Sequence, residues 1–195
     1  MDLNFITFGY LFLRLAPFII VCFFVLGSIF NQDFKGVVYL FGLMVACFIS
    51  LMLGKFNKIE DSKEICKTFT IGGVDLNGLP IGQTVFGYSS AYLLYKAFAD
   101  NNIWLNLQTI VFFSVLIFGD AVWNIAVGCY DLPIILSSLC VGILVGMFWG
   151  YIINSTNTPS LQYYAGISNT EVCSKPAKST FKCNVYKGGK LLTTM

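Results

Sequence analysis

The chain has 195 residues, of which 56% are hydrophobic, 16% aromatic and only 11% charged, with a mean hydropathy of +0.74. That composition excludes an ordinary soluble domain and predicts an integral membrane protein. The formal net charge of +2 says little by itself, and no nucleic-acid partner is expected. The chain contains no histidine, which removes the side chain that most often carries nucleophilic and acid–base chemistry at neutral pH.

The first predicted span runs from about Tyr10 to Phe30, long enough for a bilayer core that takes about 20 residues. No basic residue precedes it and no small-x-small cleavage pattern follows it, so a removable signal peptide is not expected. Arg14 is the unusual residue within it, read first as an arginine snorkelling to the nearer interface. A second span covers about Val37 to Leu53. The segment Lys55 to Leu79 then mixes Lys55, Lys58, Glu60, Asp61, Lys63, Glu64 and Lys67, as a solvated loop does.

At Pro80-Ile81-Gly82-Gln83 a polar turn runs into a third span, about Thr84 to Ala99. The span is short, and small residues at Gly87, Ser89, Ser90 and Ala91 suit close helix packing in lipid. A fourth span, about Ile103 to Val127, carries Asp120, Trp123 and Asn124. A carboxylate at the bilayer centre costs about 2.5 to 3.5 kcal/mol on insertion scales and therefore needs partners. After Gly128-Cys129-Tyr130-Asp131 comes a fifth span, about Ile134 to Ile153. In it Gly142, Gly146 and Gly150 recur at four-residue spacing, a smooth stripe for another helix.

Of the cysteines, Cys22, Cys47 and Cys140 fall in apolar runs and read as packing. Beyond Asn154 the composition turns polar and then lysine-rich. Thr180 to Tyr186, Gly188-Gly189 and Lys190 to Thr194 read as a β-hairpin. The expected fold class is therefore an all-α membrane protein of about five transmembrane helices with a small C-terminal β-hairpin tail. It divides into a multi-span domain, residues 1–154, and a basic extramembrane tail, residues 155–195. The sequon Asn154-Ser155-Thr156 abuts the membrane and is not expected to be glycosylated.

With five crossings, Arg14 and Asp120 lie in the same leaflet and, with Gln83, Asn124 and Cys129, predict a polar layer. It serves either as structural glue, with Arg14 and Asp120 satisfying each other, or as a binding site. The lysines lean weakly towards a cytosolic tail. In that tail, Cys173 and Cys183 flank a short loop and are expected to form a disulfide. Lys175, Lys178, Lys182, Lys187 and Lys190 face Glu171 alone, and with Phe181 and Tyr186 they predict a partner-binding surface, an apolar centre inside a basic rim.

The Pro80-Ile81-Gly82-Gln83 lead-in and the glycine-rich last helix resemble the type 2 phosphatidic acid phosphatases, in which Pro-Ser-Gly-His opens a membrane helix. Gln83 stands where that family has its histidine. The Lys, six residues, Arg-Pro element is absent after Lys55, and Trp123 and Cys129 hold the spacing of the family's Arg and His. The resemblance implies a phosphatase-like scaffold without its chemistry, and neither a cofactor nor a metal is expected.

The tail stretches Cys173-Ser174-Lys175-Pro176 and Thr180-Phe181-Lys182-Cys183-Asn184-Val185-Tyr186-Lys187 resemble membrane proteins of large DNA viruses of algae and protists. This resemblance implies a structural virion membrane protein, a minor capsid component joining the internal membrane to the shell. The implied partners are the bilayer, capsid or other minor capsid proteins through the tail, and a second copy of the chain. Such viruses are expected to carry thiol oxidases, which would allow the Cys173–Cys183 bond. The alternatives are a lipid-phosphate phosphatase or a lipid-binding relative, and a small channel using Arg14 and Asp120, for which one acid and one base are too few.

Overall fold

The computed structural model describes residues 5–55, 70–71, 74–75, 79–101, 103–156, 161–163, 184–187 and 190–194. Five α-helices form the bundle: α1 (Phe5–Asn31), α2 (Lys35–Gly54), α3 (Ile81–Ala99), α4 (Leu107–Val127) and α5 (Leu132–Ser155). A 3-10 turn, Ile103–Asn106, leads into α4. Two short antiparallel ladders complete the described backbone: β1 (Thr70–Ile71) with β2 (Val74–Asp75), and β3 (Asn184–Lys187) with β4 (Lys190–Thr194).

Local chemistry sets the helix ends. At the α1–α2 turn Gln32 takes a left-handed φ of 53°. The Ser28 hydroxyl accepts the Gly36 N–H at 3.0 Å and donates to the Asp33 carboxylate at 2.8 Å, so one side chain serves both helix termini. α4 stops at Gly128, whose φ is 71°. Its N–H bonds the Ile125 carbonyl and the next N–H, from Cys129, bonds Asn124, which is a Schellman closure. Pro133 occupies the first turn of α5, where its missing N–H breaks no helical bond.

About five crossings were expected, the third of them short. Among the described residues four helices are long and apolar enough to cross a membrane: α1, α2, α4 with its leading turn, and α5. α3 does not meet that measure because it lies at the centre of the bundle and is wrapped by protein. From Gln83 to Leu93 every residue is buried, whichever way it points around the helix. A helix that touches protein on all sides can carry Gln83, Thr84, Ser89 and Ser90, provided each polar group finds a partner. The outer helices show the reverse pattern, apolar outward, with Phe23 70% and Phe118 70% exposed. They present the surface that hydrocarbon accepts.

α3 packs most extensively on α5, and the two run parallel. A Cβ on Gly87 would lie 2.7 Å from the Leu139 carbonyl oxygen, and one on Gly146 would lie 2.6 Å from that of Tyr88. One on Gly142 would overlap the Thr84 carbonyl. The four-residue stripe therefore lies in an intramolecular seam, with Gly150 against the Tyr95 ring. α2 runs antiparallel to α3, joined by Tyr39 to Ser89 at 2.6 Å near one end and Ser50 to Thr84 at 2.8 Å near the other. Tyr39, Tyr88 and Tyr92 are fully buried, and the last two rings stack with centroids 5.8 Å apart.

These contacts give the bundle two distinct ends. At one, here the Pro80 end, lie the C-termini of α2 and α4 and the N-termini of α3 and α5. At the other, the Asp33 end, the Trp149 indole donates to the Val38 carbonyl at 3.0 Å and the Tyr163 hydroxyl to that of Phe24 at 2.6 Å.

Candidate functional site

The polar residues of the Pro80 end are placed by three helices, α1, α3 and α4, and by the α4–α5 turn. Pro80, with ψ of 97°, turns the chain into α3 and exposes its carbonyl, which accepts the N–H groups of Gln83 and Thr84. Gln83 is then aimed at α4. Its amide nitrogen donates to the Asp120 carboxylate at 2.8 Å and to the Ile117 carbonyl at 3.1 Å. Both partners are acceptors, so they set which end of the amide carries nitrogen. The Gln83 oxygen has no hydrogen-bond partner among the described residues. Asn124, one turn beyond Asp120, spends its amide on the Asp120 backbone carbonyl at 2.8 Å.

Arg14 enters from α1. With Asp120, Asn124 and Tyr130 it borders a cavity of about 250 Å³, also lined by Pro17, Pro80 and Gly82. The Arg14 charge is felt at Asp120, alongside the hydrogen bonds from Gln83 and Asn124. Tyr130, in the α4–α5 turn, has its phenol pKa raised by burial, opposed by Arg14 and reinforced by Asp120. It remains a neutral hydroxyl lining the cavity. Arg14, Gln83, Asp120 and Asn124 are thus neighbours at one end of the bundle. Cys129, grouped with them in the sequence, is buried beside Tyr130 and is disulfide-bonded, so it offers no free thiol.

No family model, curated protein or solved structure matches the chain.

At the same Pro80 turn lies a feature without a clear signal in the sequence, a chain of buried hydroxyls. Ser50 of α2 meets Thr84 of α3 at 2.8 Å, Thr84 meets Ser138 of α5 at 2.8 Å, and Ser138 donates to the Pro80 carbonyl at 2.7 Å. A carbonyl only accepts, and each hydroxyl has one proton, so the chain has one direction: Ser50 to Thr84 to Ser138 to Pro80. It ties three helices to the turn that aims Gln83. The available signal was the presence of serine or threonine within three apolar runs, Ser50 alone in α2 but Thr84, Ser89 and Ser90 in α3 and Ser137, Ser138 and Ser155 in α5, and nothing in those runs specifies which hydroxyls meet.

Chemically the site can hold charge and hydrogen-bond a polar group. Among the described residues no group of His, Cys, Asp and Glu is arranged to hold a metal. The expected tail surface stands apart. Tyr186 pairs with Leu191 and Lys187 with Lys190 on the two strands. Lys175, Lys178, Phe181 and Lys182, with the expected Cys173–Cys183 bond, lie outside the described residues.

Proposed function

We propose that the chain is a structural membrane protein of a virion, a minor capsid component whose helices anchor the internal bilayer and whose basic tail hairpin contacts the capsid shell. In this reading α3, about 28 Å long for its 19 residues, is a fifth crossing shielded from lipid by the other four. The observation that carries the reading is the state of Gln83. At the position where the resembling phosphatases keep a histidine, an amide is committed to Asp120 and Ile117, in a chain without histidine. The polar layer then holds helices together, and the tail supplies the external contact.

The purified protein is therefore expected to release no phosphate from phosphatidic acid, and Gln83→His to restore none. Release by the wild type that disappears in Gln83→Ala would overturn the structural reading. In intact particles, crosslinks from Lys182 and Lys187 are expected to reach capsid proteins. Crosslinks found only to lipid, or to the contents enclosed by the membrane, would remove the proposed anchor.

The cavity beside Arg14 favours one alternative, a lipid-binding relative of the phosphatases. An arginine with a neutral phenol and amides nearby suits an anionic headgroup. Under that alternative, binding to phosphatidic acid vesicles exceeds binding to phosphatidylcholine vesicles and falls in Arg14→Gln. Under the structural reading the two vesicles are not distinguished.

A further inference from the structure

Towards the Asp33 end α1 and α4 part and leave a groove of about 620 Å³, bordered by residues 19–24 of α1, residues 108–113 of α4, Leu93 of α3 and Tyr163. Ile20, Leu93 and Phe113 are buried, whereas Phe23 and Phe112 are exposed, so the groove opens outward on the face that meets lipid. Towards the bilayer centre it closes. Ala16 and Leu116 are buried in the common core there, and a Cβ on Gly119 would lie 3.3 Å from the Leu13 side chain.

The chemistry of the groove is graded along the helix axis. Gln108, which is exposed, and Thr109 belong to the first turn of α4, and Phe112 and Phe113 follow one turn later, about 6 Å deeper. Trp104 stands one turn before Gln108 on the 3-10 lead-in and is 85% exposed, while Lys96 and Asp100 pair at 2.9 Å at the adjoining end of α3. The ion pair marks water, and an exposed indole beside it settles at the headgroup boundary. Gln108 then lies at the depth of the glycerol esters, and the two phenylalanines lie at the depth of the acyl chains. The amide of Gln108 can donate, and an ester carbonyl can only accept. No charged side chain borders the groove to read a headgroup.

A second copy of the chain fits the shape poorly. A packed helix is about 10 to 12 Å across and follows its neighbours along the whole span, but this groove occupies only about 8 Å of each helix and is blocked below by Leu13 and Gly119. We propose that the groove is a binding site for one ester-linked acyl chain of a phospholipid, with Gln108 donating to the ester carbonyl, in the leaflet opposite the Arg14 cavity. Recognition through ester and chain is indifferent to headgroup charge, which separates this site from the anionic-headgroup binding considered for that cavity.

The test places the full-length protein in phosphatidylcholine vesicles with a phosphatidylcholine that carries a photoactivated diazirine in its acyl chain. Label is expected on residues 19–24 and 108–113 severalfold above that on Phe41 and Phe148, which are exposed at similar depth on α2 and α5. Equal label at all of these positions is the pattern of ordinary boundary lipid and overturns the proposal. Unlabelled diester phosphatidylcholine and diester phosphatidylglycerol are expected to compete equally, and diether phosphatidylcholine, which lacks the carbonyl, severalfold less. Equal competition by diester and diether lipids overturns the ester contact, and stronger displacement by cholesterol than by either diester lipid assigns the groove to a sterol instead. Gln108→Leu, at an exposed position, is expected to lower the groove label severalfold and leave Phe41 and Phe148 unchanged. No loss, or the same loss at all positions, counts against the role of Gln108, and the wild-type comparison stands without the variant.

Discussion

Gly142→Leu is expected to prevent formation of the folded bundle. The first carbon of any side chain at this position overlaps the Thr84 carbonyl and lies 2.8 Å from the Tyr88 nitrogen. The obstacle is the backbone of a fully buried helix and not the end of a movable side chain. Relief requires α3 and α5 to separate, and that separation also breaks the Thr84–Ser138 bond. Overpacking a well-fitted core ordinarily costs about 1 to 3 kcal/mol, and a clash between two helix backbones belongs at or beyond the upper end of that range. Gly142→Ala should therefore already lower the unfolding midpoint in detergent. Gly27 is the control, since a Cβ there meets nothing within 4 Å, and Gly27→Ala should leave the midpoint unchanged or raise it. Equal midpoints for Gly142→Ala and Gly27→Ala would show that the α3–α5 seam is not packed as described.

Thr84→Val is expected to destabilise the bundle by about 1 to 2 kcal/mol while leaving its shape intact. Valine matches threonine in volume but removes the middle of the hydroxyl chain, so Ser50 loses its acceptor and Ser138 loses its donor. A buried polar group left without its partner costs about 1 to 3 kcal/mol. Hydrogen bonds between membrane helices average only about 0.6 kcal/mol, because the unfolded helices find other partners in lipid. The expectation lies between those limits. A double-mutant cycle with Ser50→Ala isolates the bond: if the two substitutions add exactly as independent sites do, Ser50 and Thr84 are not coupled and the relay is refuted.

The polar layer was legible in its members but not in its bonds. Arg14, Gln83, Asp120 and Asn124 are costly in an apolar run, and residue type and span position sufficed to put them in one leaflet. Mutual satisfaction of Arg14 and Asp120 was the expectation, and the Arg14 charge does act on Asp120. What had no signal in the sequence is the amide network beside it, with Gln83 reaching Asp120 across 37 positions of sequence and Asn124 turned back along its own helix. The cysteines divide in the same way. The thiols in the apolar runs, Cys22, Cys47 and Cys140, are free. The bonded state of Cys129 had no local signal, because a disulfide depends on where two loops meet.

From sequence alone come the membrane class, the positions of α1, α2, α4 and α5, the turns at Pro80 and Gly128, and the glycine stripe, all of which express interactions within about one turn or the solvent preference of a run. Only the tertiary structure decided that α3 is the central helix, that the stripe on α5 faces it, and that Ser50, Thr84 and Ser138 form one directed chain. The physical reason is that hydropathy reports whether a helix surface suits lipid. A helix surrounded by protein is released from that requirement, and its polar groups are chosen by neighbours that lie 34 and 54 positions away.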